Sequence, residues 1–438
     1  MRFILALVVA ILAFIGPGTA ADDPAPADQI KMLVEQLDAA EAAERDSAEK
    51  QLVELALKGA SAASAEAFVN LLPKPNDEMP QEVQVRLNRI ASEIRGRLAK
   101  QSIEATSLTL DLTDAPLNEV LAEIEKQTGN SLSDYREQFG QETAEKKVTY
   151  KGDKQPFWVA VDKILDGVQM SPSNFSGEEK LALIDRDAGV LRRSGRAVYS
   201  GPFRIEATGA SSQRGIRVPE QSGLSVDLEI SWEPRIKPIS LSLLAADLKV
   251  VCDDGREAPV VGGDEVFNVE VQPGSHAADV VASIQLPARD SKNLATMEGR
   301  MTVLVPGRFA ELKFDNLASL KDSTQRAGEV SVTVDRVVQN QALWEVHLRL
   351  AVASDAEALD VHGGWIFQNQ AYLVDDKGEQ VANAGFETTM ETEDEVGLAY
   401  FYELPEGREI DAYSWVYRTP AGIVAVPVEF KLEEVPLP

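Results

Sequence analysis

Between residues 224 and 232 an apolar side chain falls at every second position. Leu224, Val226, Leu228, Ile230 and Trp232 lie on one side, and Ser225, Asp227, Glu229, Ser231 and Glu233 on the other. Successive side chains of a strand point to opposite faces, so this period predicts a half-buried antiparallel strand and excludes a helix. The same alternation returns at Val330, Val332 and Val334, at Trp344, Val346, Leu348 and Leu350, and at Val424, Val426, Val428, Phe430 and Leu432. Between such runs stand Asp253-Asp254-Gly255 and Asp375-Asp376-Lys377-Gly378, residues suited to hairpin turns. Shorter strands are expected at Leu248–Cys252, Val280–Leu286, Met301–Val305 and Phe309–Phe314. No long helical pattern interrupts them, which predicts two antiparallel β-sandwich domains, at 191–322 and 323–438. Pro427 cannot donate to a ladder, so the last strand is expected at an edge.

The first half of the chain has a different period. Ile30, Leu33, Val34 and Leu37, then Ala48, Leu52 and Leu55, then Val83, Leu87, Ile90, Ile94 and Leu98, sit at helical spacing. This helix–turn–helix rhythm resembles a pair of HEAT-like repeats over 21–104. Residues 105–190 read as strand, helix, strand, helix, strand. Leu108, Leu110 and Leu112 alternate; Val120, Leu121 and Ile124 follow Pro116 on a helix closed by Gly129; Val148-Thr149-Tyr150 is a strand; Phe157 to Leu165 is a second helix; Leu181 to Ile184 ends the block. The phrases LTLDLTDAPLNEVL and FWVAVDKIL resemble the small N-terminal domain shared by secretins and TonB-dependent transducers. That resemblance implies a βαβαβ-type docking module. The run from Tyr417-Arg418-Thr419-Pro420 to Pro438 is similar to the terminal β module of uncharacterised exported bacterial envelope proteins. The fold class expected is therefore multi-domain α+β: N-terminal helical hairpins, one small βαβαβ-type domain and two C-terminal sandwiches.

Charge and leader narrow the compartment and the partners. The formal net charge is −28, from 71 acidic and 43 basic residues. Neutralising nucleic-acid phosphates needs clustered Lys and Arg, so nucleic acid is not an expected partner. Arg2, the apolar run Ile4–Ile15 and the small residues Gly18-Thr19-Ala20 predict a signal peptide over 1–20, cut after Ala20 or Ala21. No later segment reaches the ~18 apolar residues of a membrane span. Cys252 is the single cysteine, so no internal disulfide forms. A disulfide-free exported chain fits a bacterial periplasm, or secretion, and Cys252 reads as a small core residue. Arg192, Arg193 and Arg196 read as a solvated basic linker.

Residues that carry chemistry are sparse. His276, His347 and His362 stand alone, without the fixed spacings a zinc site needs. No Gly-x-Ser-x-Gly elbow, Walker loop or dinucleotide fingerprint occurs. The Asp-Gly turns do not continue as calcium loops. Tyr413, Trp415 and Tyr417 alternate and share one strand face. They are the ligand-binding candidates, since flat aromatic rings stack on sugars. The opposite face, Ala412, Ser414, Val416 and Arg418, tolerates solvent better, which turns the aromatic row toward the core. The expectation is a non-enzymatic interaction or scaffold protein without catalytic residues, cofactor or metal, whose partner is an envelope protein. Carbohydrate binding on a sandwich face and a hydrolase with an unfamiliar carboxylate site are the alternatives.

Overall fold

The computed structural model describes residues 27–438 except 59–66, 70, 74–78, 175, 192, 194–196, 273, 329, 353–363 and 393. The signal-peptide segment 1–20, Arg192, Arg196 and His362 lie outside the described residues. The chain divides into two compact units, 1–95 and 96–438.

In the first unit α1 (Ala27–Gln36) and α2 (Ala42–Leu57) are followed by the start of α3 (Gln81–Ser102). Ile30, Leu33, Leu52, Val53, Leu87 and Ile90 are buried, as their spacing requires. Arg86 on α3 ties itself to α2 by donating to Asp46 at 2.9 Å and Glu49 at 2.7 Å.

The second unit begins with an α+β layer. The strands Ser107–Pro116 and Lys147–Pro156 pair antiparallel, and each runs through its proline directly into a helix, α4 (Leu117–Thr128) and α5 (Phe157–Gly167). Pro116 and Pro156 stand at the N-caps with extended ψ of 137° and 145°, where no helix hydrogen bond requires a backbone N–H. Gly129 ends α4 in the left-handed region at φ 70°, its N–H bonded to the Glu125 carbonyl at 2.7 Å. A second sheet joins Leu132–Asp134 parallel to Leu181–Asp185, which also pairs with Met170–Ser173. The layer thus has five strands where three were expected. The added ones, of three and four residues, are too short to show a period. Leu108, Leu110, Val120, Ile124, Phe157, Trp158 and Ile164 fill its core.

Among the described residues beyond this layer, every strand pairing is antiparallel. A four-stranded sheet, in the order Ala277–Gln285, Gly223–Trp232, Phe203–Gln213, Val198–Ser200, lays Leu224 to Trp232 against a seven-stranded sheet. A five-stranded sheet, in the order Lys321–Ala327, Val330–Asn340, Leu343–Val352, Glu395–Glu403, Gly385–Glu391, packs on the other part of the same seven-stranded sheet.

The two cores share one strand pair. Asn293–Phe314 and Tyr413–Pro436 run antiparallel from Asn293 opposite Pro436 to Phe314 opposite Trp415. Met301, Val303, Val428 and Phe430 enter the first core; Leu312, Phe314, Trp415 and Tyr417 enter the second. The pair changes core near Pro306, opposite Ile423. Two expectations are corrected here. Met301–Val305 and Phe309–Phe314 are one strand, because the Pro306 position lacks only one donor and the ladder resumes beyond it. The division at 322/323 does not separate the cores either, because residues 428–435 return to the first of them. Pro427 opposes Thr302 and is exposed on the free side of its strand.

Candidate functional site

The aromatic row lies inside. Trp415 and Tyr417 are 0% exposed and Tyr413 is 5%. Trp415 Nε1 donates to the Tyr402 hydroxyl at 2.7 Å, its ring sits 5.7 Å from Phe314, and Asn369 donates to the Tyr417 hydroxyl at 3.0 Å. Burial pushes the Tyr400 hydroxyl beside this row up to about 12. Tyr413, Trp415 and Tyr417 as a sugar platform are therefore corrected. The five-stranded sheet covers that face, and the polar tips of Trp415 and Tyr417 find partners within the core, as buried Tyr and Trp require.

The Asp-rich turns behave as turns. Asp375 Oδ1 accepts the backbone N–H groups of Lys377 and Glu379 at 2.9 Å each, and Asp254 is held by Arg256, which keeps its carboxyl down at about 2. Among the described residues no three His, Cys, Asp or Glu side chains gather as a metal site. His347 pairs with Glu345 at 2.9 Å on the outer side of its strand.

His276 is placed less simply. It borders a cleft of about 250 Å³, with Glu179, Lys237, Phe309, Trp365 and Arg418 among the lining. The imidazole is buried, with Nε2 bonded to the Glu178 carbonyl at 3.1 Å and Nδ1 sealed without a partner. Burial pushes its pKa down. Glu179 pairs with Lys237 at 3.4 Å, and Arg418 lies 5.1 Å over the Phe309 ring while donating to Gln370 at 3.3 Å. General acid–base chemistry needs a base within reach of a proton it can take. Here the charged groups of the cleft hold one another.

The most heavily built polar site is one that sequence reasoning missed. At the Glu229–Ser231 end of strand Gly223–Trp232, the side opposite its apolar row meets the α+β layer instead of water. Arg204, fully buried, donates to Asp162 of α5 at 2.9 Å, to Glu229 at 3.2 Å and to Glu206. Tyr199 donates to the same Asp162 oxygen at 2.8 Å. Arg193 reaches Glu229 at 3.2 Å, so this part of the expected solvated linker is corrected: the residue is drawn inward by a buried carboxylate. Burial alone would raise the Glu229 carboxyl, but Arg193 and Arg204 outweigh it and hold the group below the usual carboxylate range. Burial also works against the charge of Arg204, and its three carboxylates more than restore it.

A second node lies just beyond the same end of that strand, four residues on from Glu229. Glu233, 1% exposed, accepts from Thr106 N and Oγ1 at 2.8 Å each, from Asn130 at 2.9 Å and from Arg235 at 2.8 Å. Trp158 Nε1 donates to the Pro202 carbonyl at 3.1 Å, and His276 N donates to the Asn174 carbonyl at 2.8 Å. The α+β layer is thus fastened to the four-stranded sheet at several separated points. One signal of this was present in the sequence: a lone Arg between Phe203 and Ile205, where a one-sided strand would carry a short polar residue.

No family model matches the chain, and no curated protein matches it. Among solved structures it is similar to the conserved domain protein from Bacillus anthracis, at 10% identity and a TM-score of 0.17, over 54% of this chain and 89% of that one. That likeness is too slight to carry a fold or a function. No helix among the described residues is long and apolar enough to cross a membrane.

Proposed function

We propose that the chain is a non-catalytic interaction or scaffold protein of the bacterial cell envelope, exported by its leader and active through a protein partner. One observation carries the reading: the buried contact of Arg204 with Asp162, seconded by Glu233. Ordering buried charges is expensive unless every member is paired, and such networks serve to define one arrangement. A binding module held at one fixed angle loses little orientational freedom when it docks, which favours affinity. On this reading 105–190 is the docking module that its likeness to the secretin N-terminal domain implies, and the helices of 21–104 are HEAT-like. The cleft adds to this reading, since Nε2 of His276 is tied to the Glu178 carbonyl and Glu179 pairs with Lys237 instead of with the imidazole.

The test is affinity capture from envelope extract with the mature chain, beside an Arg204→Met/Asp162→Asn variant that removes both charges of that pair and leaves Glu206 and Glu229 to Arg193. A discrete partner retained by the first and weakened with the second is the expected result. Absence of any partner above background, or turnover of a cell-wall substrate by the purified chain, would overturn the proposal.

A further inference from the structure

The hairpin that joins Phe203–Gln213 to Gly223–Trp232 ends in a tip unlike the rest of the surface. Ile216 is 95% exposed, and Val218 two residues on is exposed as well. A single exposed apolar side chain is ordinary. This one is set apart by a turn built to hold it outward. Gly215 donates its N–H to Ser222 Oγ at 2.9 Å across the base of the loop. A Cβ on Gly215 would meet the Val218 carbonyl oxygen at 2.1 Å, so the turn is closed more tightly than any side chain at that position permits. Pro219–Gln221 adds a 3-10 turn, with Gln221 N bonded to the Val218 carbonyl at 3.0 Å. The ladder below is paired up to Gln213 opposite Gly223, so the tip stands on a firm stem.

The charge at the tip reverses that of the chain. Arg214 and Arg217 flank Ile216, and no carboxylate lies between Gln213 and Pro219, in a protein with 71 acidic against 43 basic residues. Both arginines are exposed. The arginines at the joint beneath, Arg193 and Arg204, are each consumed by buried carboxylates. A fixed apolar knob between two exposed guanidinium groups matches the anchors that dominate protein interfaces: a side chain for a pocket, and Arg for the carboxylates at its rim.

We infer that Arg214–Val218 is a docking finger for a different protein, one that offers an apolar pocket rimmed by Asp and Glu. The inference rests on the interaction role proposed above and names the chemistry of the partner. Two other occupants fit less well. An anionic bilayer would meet two cations on a chain of net charge −28, far short of the clusters of four to eight that hold proteins to such lipids. A second copy of this chain would bring the same excess of negative charge to the contact.

The test places a photo-reactive benzoyl-phenylalanine at position 216 of the full chain in the cells that make it. The expected result is one protein adduct whose cross-linked peptide carries carboxylates beside apolar residues. Arg214→Glu/Arg217→Glu should lower its yield at least about tenfold, a difference of ~1.4 kcal/mol in binding. Added salt should weaken it too, since exposed charges are screened. An adduct unchanged by charge reversal, an adduct to lipid or to a second copy, or no adduct at all would overturn the finger. So would sedimentation of the purified chain with vesicles of anionic phospholipid. Ile216→Asp removes the knob at a site that touches no core, and its thermal transition should match that of the parent. A partner still captured with equal affinity by Ile216→Asp would reject the finger and leave the interaction role standing, whereas capture failing for the parent itself would reject both.

Discussion

The Arg204 guanidinium and the Asp162 carboxylate meet at 2.9 Å with neither side chain reaching solvent. One residue belongs to the four-stranded sheet and the other to α5, so this ion pair is one of the contacts that join two layers separate in sequence. Removing one partner leaves the other buried and uncompensated. Arg204→Ala should therefore lower unfolding free energy by about 3–5 kcal/mol. Arg204→Met/Asp162→Asn should cost less than the sum of its single changes, and denaturant titration of the four proteins measures the difference. Additive losses would mean that the pair is not coupled.

Trp415→Ala should cost about 3–5 kcal/mol, the range for truncating a fully buried aromatic. It should also blunt the near-ultraviolet circular dichroism, because Phe314, Tyr400 and Tyr417 all lie against that ring. A wild-type melting curve would return Trp415 to the surface.

Stability should fall on mild acidification. Burial lowers the pKa of His276 in the folded chain, so near pH 6 the unfolded chain binds the extra proton more readily. The contribution is whole above the ordinary histidine value of about 6.5 and is lost as pH falls through it toward the folded value. Denaturation midpoints between pH 8 and pH 5, about the range histidine titrates, should slope downward on the acid side, and less so in His276→Gln. A further loss belongs to Glu229, whose carboxyl is held low in the fold; it begins as pH drops below the ordinary glutamate value.

Cys252 is buried and free, and burial pushes its thiol pKa up. It should resist iodoacetamide in the native protein and react fully in denaturant, because the thiolate is the reactive form. Mass spectrometry after timed labelling reads this directly. Rapid native alkylation would place the thiol outside the core.

How far this was legible in the residues depends on the range of the interaction. Period two along Leu224–Trp232 and the proline-led start of α4 are local, and the structure follows them. The inward turn of Trp415 was legible as well, because its strand has one solvent-tolerant face. The strands Leu132–Asp134 and Met170–Ser173 exist only through their shared neighbour, Leu181–Asp185. Ser231 and Glu233 looked like solvent-facing residues, since polar side chains buried by partners 57 and 103 positions away have the same letters as ones in water. The polar joint and the shared strand pair are products of tertiary pairing, which a periodicity cannot report.

The pairing of Asn293–Phe314 with Tyr413–Pro436 carries a consequence for synthesis. Strand Tyr413–Pro436 supplies wall to both β cores, so neither can close before residues 413–436 have been made and have joined the ladder. Until then each core lacks part of its apolar wall: Val428 and Phe430 from the first, Trp415 and Tyr417 from the second.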